Sequence, residues 1–478
     1  MGVTPRRPNL LFVFSDQHRA TDLGCYGNGH VRTPHLDAFA AQGARAKVAV
    51  SNTPVCGPYR ASLMTGMYTH RCGYPTNYLP FRPPGPCVAD VFKANGYDTG
   101  YVGKWHLNFP DGDHEQNRSD DPAAGFVPHN SRHGFDDYWA AFNGGHQYHS
   151  WTYYRDEPTP IHVNAYQPET QVDQALEFIR ERQAHGTPWC LFLSWGPPHT
   201  PFDPPHGYAE PYDGTPLPQN VPDGRAAEYA SDALPKYYGL IQTLDEAFGR
   251  LMAELDRMGA AEDTISVYTS DHGEMLGSHG YRGNKRWPYE ASLRVPLLVR
   301  YPGQIRAGSV LNRPVGTPDL YPTLVDLAGL TPPCGLDGRS AATALLTGDE
   351  SHRDQYAYCS MPYAYVPWPG WRALRSPRHM YARTQDGPWM LYDMDRDPWE
   401  TRNLVSDAAS ADLVAEMEAA LCRCMADVGD DWGYRVDSGD WRLWQPDTSK
   451  MRANDLGVPW PGSEALTDAP DSRHARER

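Results

Sequence analysis

Cys56, Pro58 and Arg60 follow one another closely in the stretch NTPVCGPYRASLMTG. Proline suits the first turn of a helix, where its missing N–H does no harm. The spacing therefore predicts a helix that begins beside Cys56. There the free N–H groups and the helix dipole favour negative charge. Arg60 would project from the first turn, where a guanidinium can grip an anion by a forked contact. A buried structural thiol needs none of this; a reactive group that meets an anion uses all of it. More chemistry-bearing residues close short apolar runs. NLLFVFSDQ ends in Asp16 and Gln17, TISVYTSDH in Asp271 and His272, GYVGKWH in Lys104 and His106, and CLFLSWGPPH in His199. Carboxylate and amide oxygens with one imidazole nitrogen are suitable ligands for a divalent cation.

These residues converge only if the runs are neighbouring strands of one sheet. NLLFVFSD has no alternation, as expected of a strand buried on both faces. CVADVFKANGYDTGYVGKWH, QVDQALEFIRERQAHGTPWCLFLSWGPPH and YYGLIQTLDEAFGRLMAELDRMGAAEDTISVYTSDHGE each read as amphipathic helix, break, strand, loop. TPHLDAFAAQGA and TPDLYPTLVDLAGL add helices. Helices alternating with strands predict an α/β fold, with a large, mostly parallel central sheet flanked by helices. In such sheets ligands gather at the carboxyl ends of the strands. Beyond about residue 350 the pattern changes to short strands, then a helix near Ala408 to Met425 and a Trp- and Pro-rich tail. The chain is therefore divided into a catalytic α/β domain, 1–350, and a smaller α+β domain with an antiparallel sheet, 351–478. Trp368, Trp371, Trp432, Trp441 and Trp444 are read as packing, with Trp371 or His379 available to a pocket rim.

The 478 residues carry a net charge of −16 with both signs interspersed, which leaves no basic face for nucleic acid. The apolar run Leu10–Phe14 is too short for a signal segment or a membrane span. Nine cysteines in irregular spacing suggest reduced thiols, not a disulfide framework, and hence a cytoplasmic protein.

With its context, CGPYRASLMTG resembles the signature C-x-P-x-R-x-x-[LM]-x-T-G of the type I sulfatases, in which the cysteine is converted to formylglycine. NLLFVFSDQHRATDLGCYGN, GYVGKWHL, GPPHTPF, SDHGEMLGSHG with NKRWPYEASLRVPLLVR, and LYDMDRDPWETRNL resemble further elements of that family in the same order. The resemblance implies the alkaline-phosphatase-like fold and hydrolysis of a sulfate monoester, on a sugar or a small aryl or alkyl alcohol. It implies a cation held by Asp16, Gln17, Asp271, His272 and the modified Cys56. Arg60 would hold the aldehyde hydrate; Lys104, His106, His199 and Lys285 would surround the sulfate; Asn77 would line the same pocket. A formylglycine-generating maturation enzyme is an implied partner. Many members have Asp where this chain has Gln17, and Asn where it has His272. Calcium remains the first choice of cation, with magnesium or manganese as alternatives.

A thiol is poorly suited to sulfate hydrolysis, because a sulfated cysteine has no easy exit. An aldehyde hydrate offers one hydroxyl to attack sulfur and a second to expel sulfate afterwards. His199 or Lys285 would protonate the leaving alcohol, and His106 would take the later proton. A phosphonate monoester or phosphodiester hydrolase of the same superfamily is the alternative; the intact Gly103–His106 element argues for the sulfatase. Specificity is assigned to loops such as Pro110 to Tyr154.

Overall fold

The computed structural model describes residues 7–77, 79–108, 125–281, 285–362 and 370–432. Trp368, Trp441 and Trp444, and the first third of the expected specificity loop, lie outside the described residues. An eight-stranded sheet runs in the order Ser309–Leu311, Ala44–Ala46, Leu297–Arg300, Thr264–Ser270, Asn9–Asp16, Trp189–Pro198, Asp98–Lys104, Tyr138–Phe142. The last five of these pair in parallel, while Leu297–Arg300 runs antiparallel to both of its neighbours.

The first strand lies at the middle and is buried along its whole length. Leu10, Phe12 and Phe14 point into one apolar core, and Leu11 and Val13 into another on the opposite face. A strand with a core on each side has no solvent face to mark with polar residues, hence its unbroken apolar run. Helices Gln167–His185 and Arg225–Arg257 cover the second of these faces, contributing Val172, Phe178, Leu244 and Phe248 to its core. The second helix begins well before the periodic stretch that predicts it and continues through Pro235. Helix Cys56–Thr65 lies on the other face; every one of its residues is buried.

A separate antiparallel sheet runs in the order Ala357–Met361, Trp371–Arg375, His379–Thr384, Gly387–Asp393. One of its faces packs on helix Ala411–Asp427 through Leu374, Tyr381, Leu391, Met417 and Leu421. The other shares a core with Val48, Val50, Val55 and Met275. Val55 precedes the Cys56 helix and Met275 follows the Asp271 loop, so this sheet braces two site segments from behind.

Candidate active site

Asp16 closes the first strand, and both strands beside it end near it. Its register against Thr264–Ser270 pairs Ser15 with Ser270, which puts Asp271 next to Asp16. Gln17 and His106 then turn the chain away with φ of 74° and 61°, a left-handed geometry that side chains adopt only where the surroundings enforce it. Gly103 has φ +103°, and a Cβ there would lie 2.0 Å from the Ser194 carbonyl oxygen. Only glycine fits this contact, which sets the exit of Lys104 from the sheet.

Cys56 is the first residue of its helix, and Asn77 Oδ1 accepts the Gly57 N–H at 2.8 Å. Asn77 thus holds the helix start beside Cys56, a more specific place than the pocket lining expected of it. Cys56 Sγ lies 3.2 Å from His272 Nε2, 3.3 Å from Lys285 Nζ and 3.7 Å from Asp16 Oδ1. Ligand atoms of Asp16, Cys56, Asp271 and His272 all fall within 4.8 Å of one another, and all four residues are buried.

This donor set fits a divalent cation. The His272 Nδ1–H donates to the Gly273 carbonyl at 2.8 Å, which leaves the Nε2 lone pair facing the cluster. Burial, with Asp16 opposite, pushes the Asp271 carboxyl up to about 6. Burial would also raise Asp16, but Lys104 and the neighbouring His199, Lys285 and His272 hold it well below the usual carboxylate range. A cation between the two carboxylates removes the repulsion that separates them. Burial and Asp16 raise the Cys56 thiol, yet Lys104, Lys285 and His272 outweigh them and bring it down to about 5. The sulfur occupies the place of an anionic oxygen, such as that of an aldehyde hydrate.

Lys104 Nζ donates to Asp16 Oδ2 at 2.5 Å and is fully buried. Lys285 Nζ reaches three groups: His199 Nε2 at 2.8 Å, Gln17 Oε1 at 3.1 Å and Cys56. The Gln17 amide oxygen thus meets an ammonium, and its Nε2 donates to Glu274. The Arg60 guanidinium donates to Asp271 Oδ2 at 3.3 Å, Ser194 Oγ at 2.8 Å, Tyr101 and the Lys104 carbonyl. Its fork grips the floor of the cluster. His106 is half-buried; burial and then Lys104 and Arg60 hold its imidazole well below its ordinary value.

Glu274 and His146 were not singled out from the sequence. Glu274 is fully buried and stands three residues after Asp271, a buried acid that the D-H-G-E string could have flagged. His146 lies in a glycine-led loop with no periodicity, and nothing local marks it. Trp371 is buried, and its Nε1–H donates to the Arg286 carbonyl at 2.9 Å. It supports the lysine loop from below, as packing, whereas His379 is only half-buried on its own sheet.

A sequence model of the family described as Sulfatase matches residues 8–330. This chain belongs to the sulfatase family, and with it to the alkaline-phosphatase-like superfamily. The C-terminal model of N-sulphoglucosamine sulphohydrolase matches residues 277–427 of the sulfatase. The ulvan-active sulfatase of Formosa agariphila is 36% identical over 90% of this chain and 83% of its own length. The N-acetylglucosamine-6-O-sulfatase of Bacteroides thetaiotaomicron is 26% identical, over 87% of this chain and 86% of its own. A crystal structure from Bacteroides fragilis, assigned as the sulfatase yidJ, superposes with a TM-score of 0.81 at 28% identity, covering 91% of this chain and 99% of that one. The phosphonate monoester hydrolase of Agrobacterium radiobacter superposes less closely, with a TM-score of 0.70 at 25% identity over 88% and 96% of the two chains. The protein is an enzyme that hydrolyses sulfate esters. Among the described residues no helix is long and apolar enough to cross a membrane.

Proposed function

We propose that this sulfatase hydrolyses sulfate monoesters carried on sugars, using formylglycine at position 56. The convergence of Asp16, Asp271 and His272 on Cys56, with Lys104 and Lys285 at its flanks, carries this reading. The sugar is suggested by the relative that acts on N-acetylglucosamine-6-O-sulfate groups. The cation is assigned to Asp16, Gln17, Asp271, His272 and the modified residue 56, with calcium first and magnesium or manganese as alternatives. When bound, it supplies Lewis acidity and favours a deprotonated hydroxyl at position 56. The aldehyde, as its hydrate, supplies the nucleophilic hydroxyl and a second one through which sulfate can leave.

The side chains divide the remaining work. Lys104 and Lys285 offer N–H donors to the sulfate oxygens in a site where charge is poorly screened. Arg60 holds Asp271 and balances its charge. The proton for the leaving alcohol is assigned to Lys285 Nζ. His199 has its Nδ1–H on the Thr200 carbonyl at 2.7 Å and its Nε2 already accepts from Lys285. It has no proton to give on that side, and it orients the lysine instead. His106, held neutral, is suited to take the proton released when sulfate departs.

The division into 1–350 and 351–478 is supported by the change from a mainly parallel to an antiparallel sheet. The nine unpaired cysteines support a reducing compartment, the cytoplasm, where a maturation enzyme would act on Cys56. Steady-state kinetics over sulfated sugars, aryl sulfates and phosphonate esters test the function. The sulfated sugars should give the highest kcat/KM; a preference for a phosphonate ester would replace this reading with the alternative hydrolase.

A further inference from the structure

The loop after strand Tyr138–Phe142 carries an imidazole with no role so far. His146 lies face to face with His199, ring centroids 3.7 Å apart and planes 7° from parallel. Its Nε2 accepts a hydrogen bond from Lys104 Nζ at 3.4 Å. Nearby in the same loop, Tyr148 Oη–H donates to the carbonyls of His199 at 2.6 Å and Gly196 at 3.3 Å. The Gln167 N–H in turn donates to the Tyr148 carbonyl at 2.8 Å, which pins the loop to helix Gln167–His185. One short segment thus grips His199 twice, by its ring and by its backbone.

The edges of the His199 ring are tied to the Thr200 carbonyl and to Lys285. The stack adds a face, so the ring cannot rotate without leaving His146. Lys104 is tethered in the same way, between Asp16 and His146. We propose that His146 is a positioning residue of the sulfate pocket: stacked on His199 and bonded to Lys104, it sets the orientation of His199 toward Lys285 and the spacing of the two lysines. This rests on the reading that Lys104, His199 and Lys285 surround the sulfate. A catalytic group misplaced by about 1 Å can lose on the order of 100-fold in rate, so a group that fixes two of them has a kinetic signature.

The test compares the wild type with His146→Ala, which removes ring and acceptor, and His146→Phe, which keeps a flat ring over His199. With 4-nitrophenyl sulfate, His146→Ala should lower kcat at least about fivefold while KM changes less than about threefold, since a loosened donor costs the reaction more than the binding. His146→Phe should recover most of that loss through the restored stack. Histidine-labelled protein gives a second readout. The ring-current shift of His199 Hε1 should vanish in His146→Ala and persist in His146→Phe. A smaller fall in kcat, a change in KM alone, a phenylalanine variant no better than alanine, or unmoved His199 resonances would overturn the proposal. If His146→Ala does not fold, His146→Leu takes its place, because it fills the volume without a ring. Should the wild type turn over no sulfate ester, the proposed function fails, and the resonances alone still decide whether His146 holds His199.

Discussion

Asp271 meets Arg60 on one oxygen and the Gln17 backbone N–H, at 3.1 Å, on the other, and it faces Asp16 across the cluster. Replacing it with alanine removes an anionic ligand and leaves the Arg60 guanidinium short of a partner. Asp271→Ala should lower kcat/KM by more than the roughly 10–100-fold typical of outer-shell changes at metal sites. Metal analysis of washed protein should show the bound cation lost in parallel, and retained activity after exhaustive chelation would count against the site. If Lys104 meets a sulfate oxygen, as proposed, it would discriminate between substrates. A sulfate monoester offers three non-bridging oxygens, whereas a phosphonate monoester places an organic group where one of them would be. That group would deny Lys104 an ester oxygen and leave its ammonium with Asp16 and His146 alone, and a lost hydrogen bond to a charged group costs about 1.5–3 kcal/mol. Lys104→Ala with His106→Ala should therefore lose about 100- to 1,000-fold in sulfatase turnover. Any phosphonate ester side activity should fall less, as kinetics on both substrates would reveal.

Strand ends bring these residues together, and glycines make the ends close enough. Gly103→Ala would drive a Cβ into the Ser194 carbonyl at a left-handed φ. The strain of such a backbone is about 1–3 kcal/mol even before the clash. Thermal unfolding should drop for Gly103→Ala, with activity, whereas Gly29→Ala, with nothing within 4 Å, should melt like the wild type. The elements were legible because each carries its own signal: the apolar run to Asp16, the glycine stop at Gly186, the proline in the Cys56 helix. Two things were not. The antiparallel strand Leu297–Arg300 carries little signal of its own, because the Pro296 break and its short length hide a strand that pairs with distant partners. His146 and Glu274 owe their places to contacts across the fold, Glu274 to Gln17 and His146 to His199 and Lys104, and spacing along the chain records neither.

Across the molecule, the smaller sheet is tied to the catalytic one by charge as well as by the core it shares. Arg375 binds Glu290 through two nitrogens, at 2.6 and 3.1 Å, with both side chains buried. Arg375→Met leaves Glu290, among the described residues, with the longer Arg294 contact at 3.5 Å, and breaking a buried pair costs about 3–5 kcal/mol. Denaturant unfolding should shift to lower concentration as one transition that takes activity with it, because Val55 and Met275 share the core of that sheet. Unfolding of the smaller sheet alone, with full activity retained, would contradict this coupling. All of this chemistry depends on residue 56 reacting in its aldehyde form. Mass spectrometry of the peptide spanning Cys56, taken from a sample whose sulfatase turnover has been measured, tests it most directly. Formylglycine should rise in proportion to activity across preparations; full activity in a preparation that contains only the unmodified thiol would rule the aldehyde out.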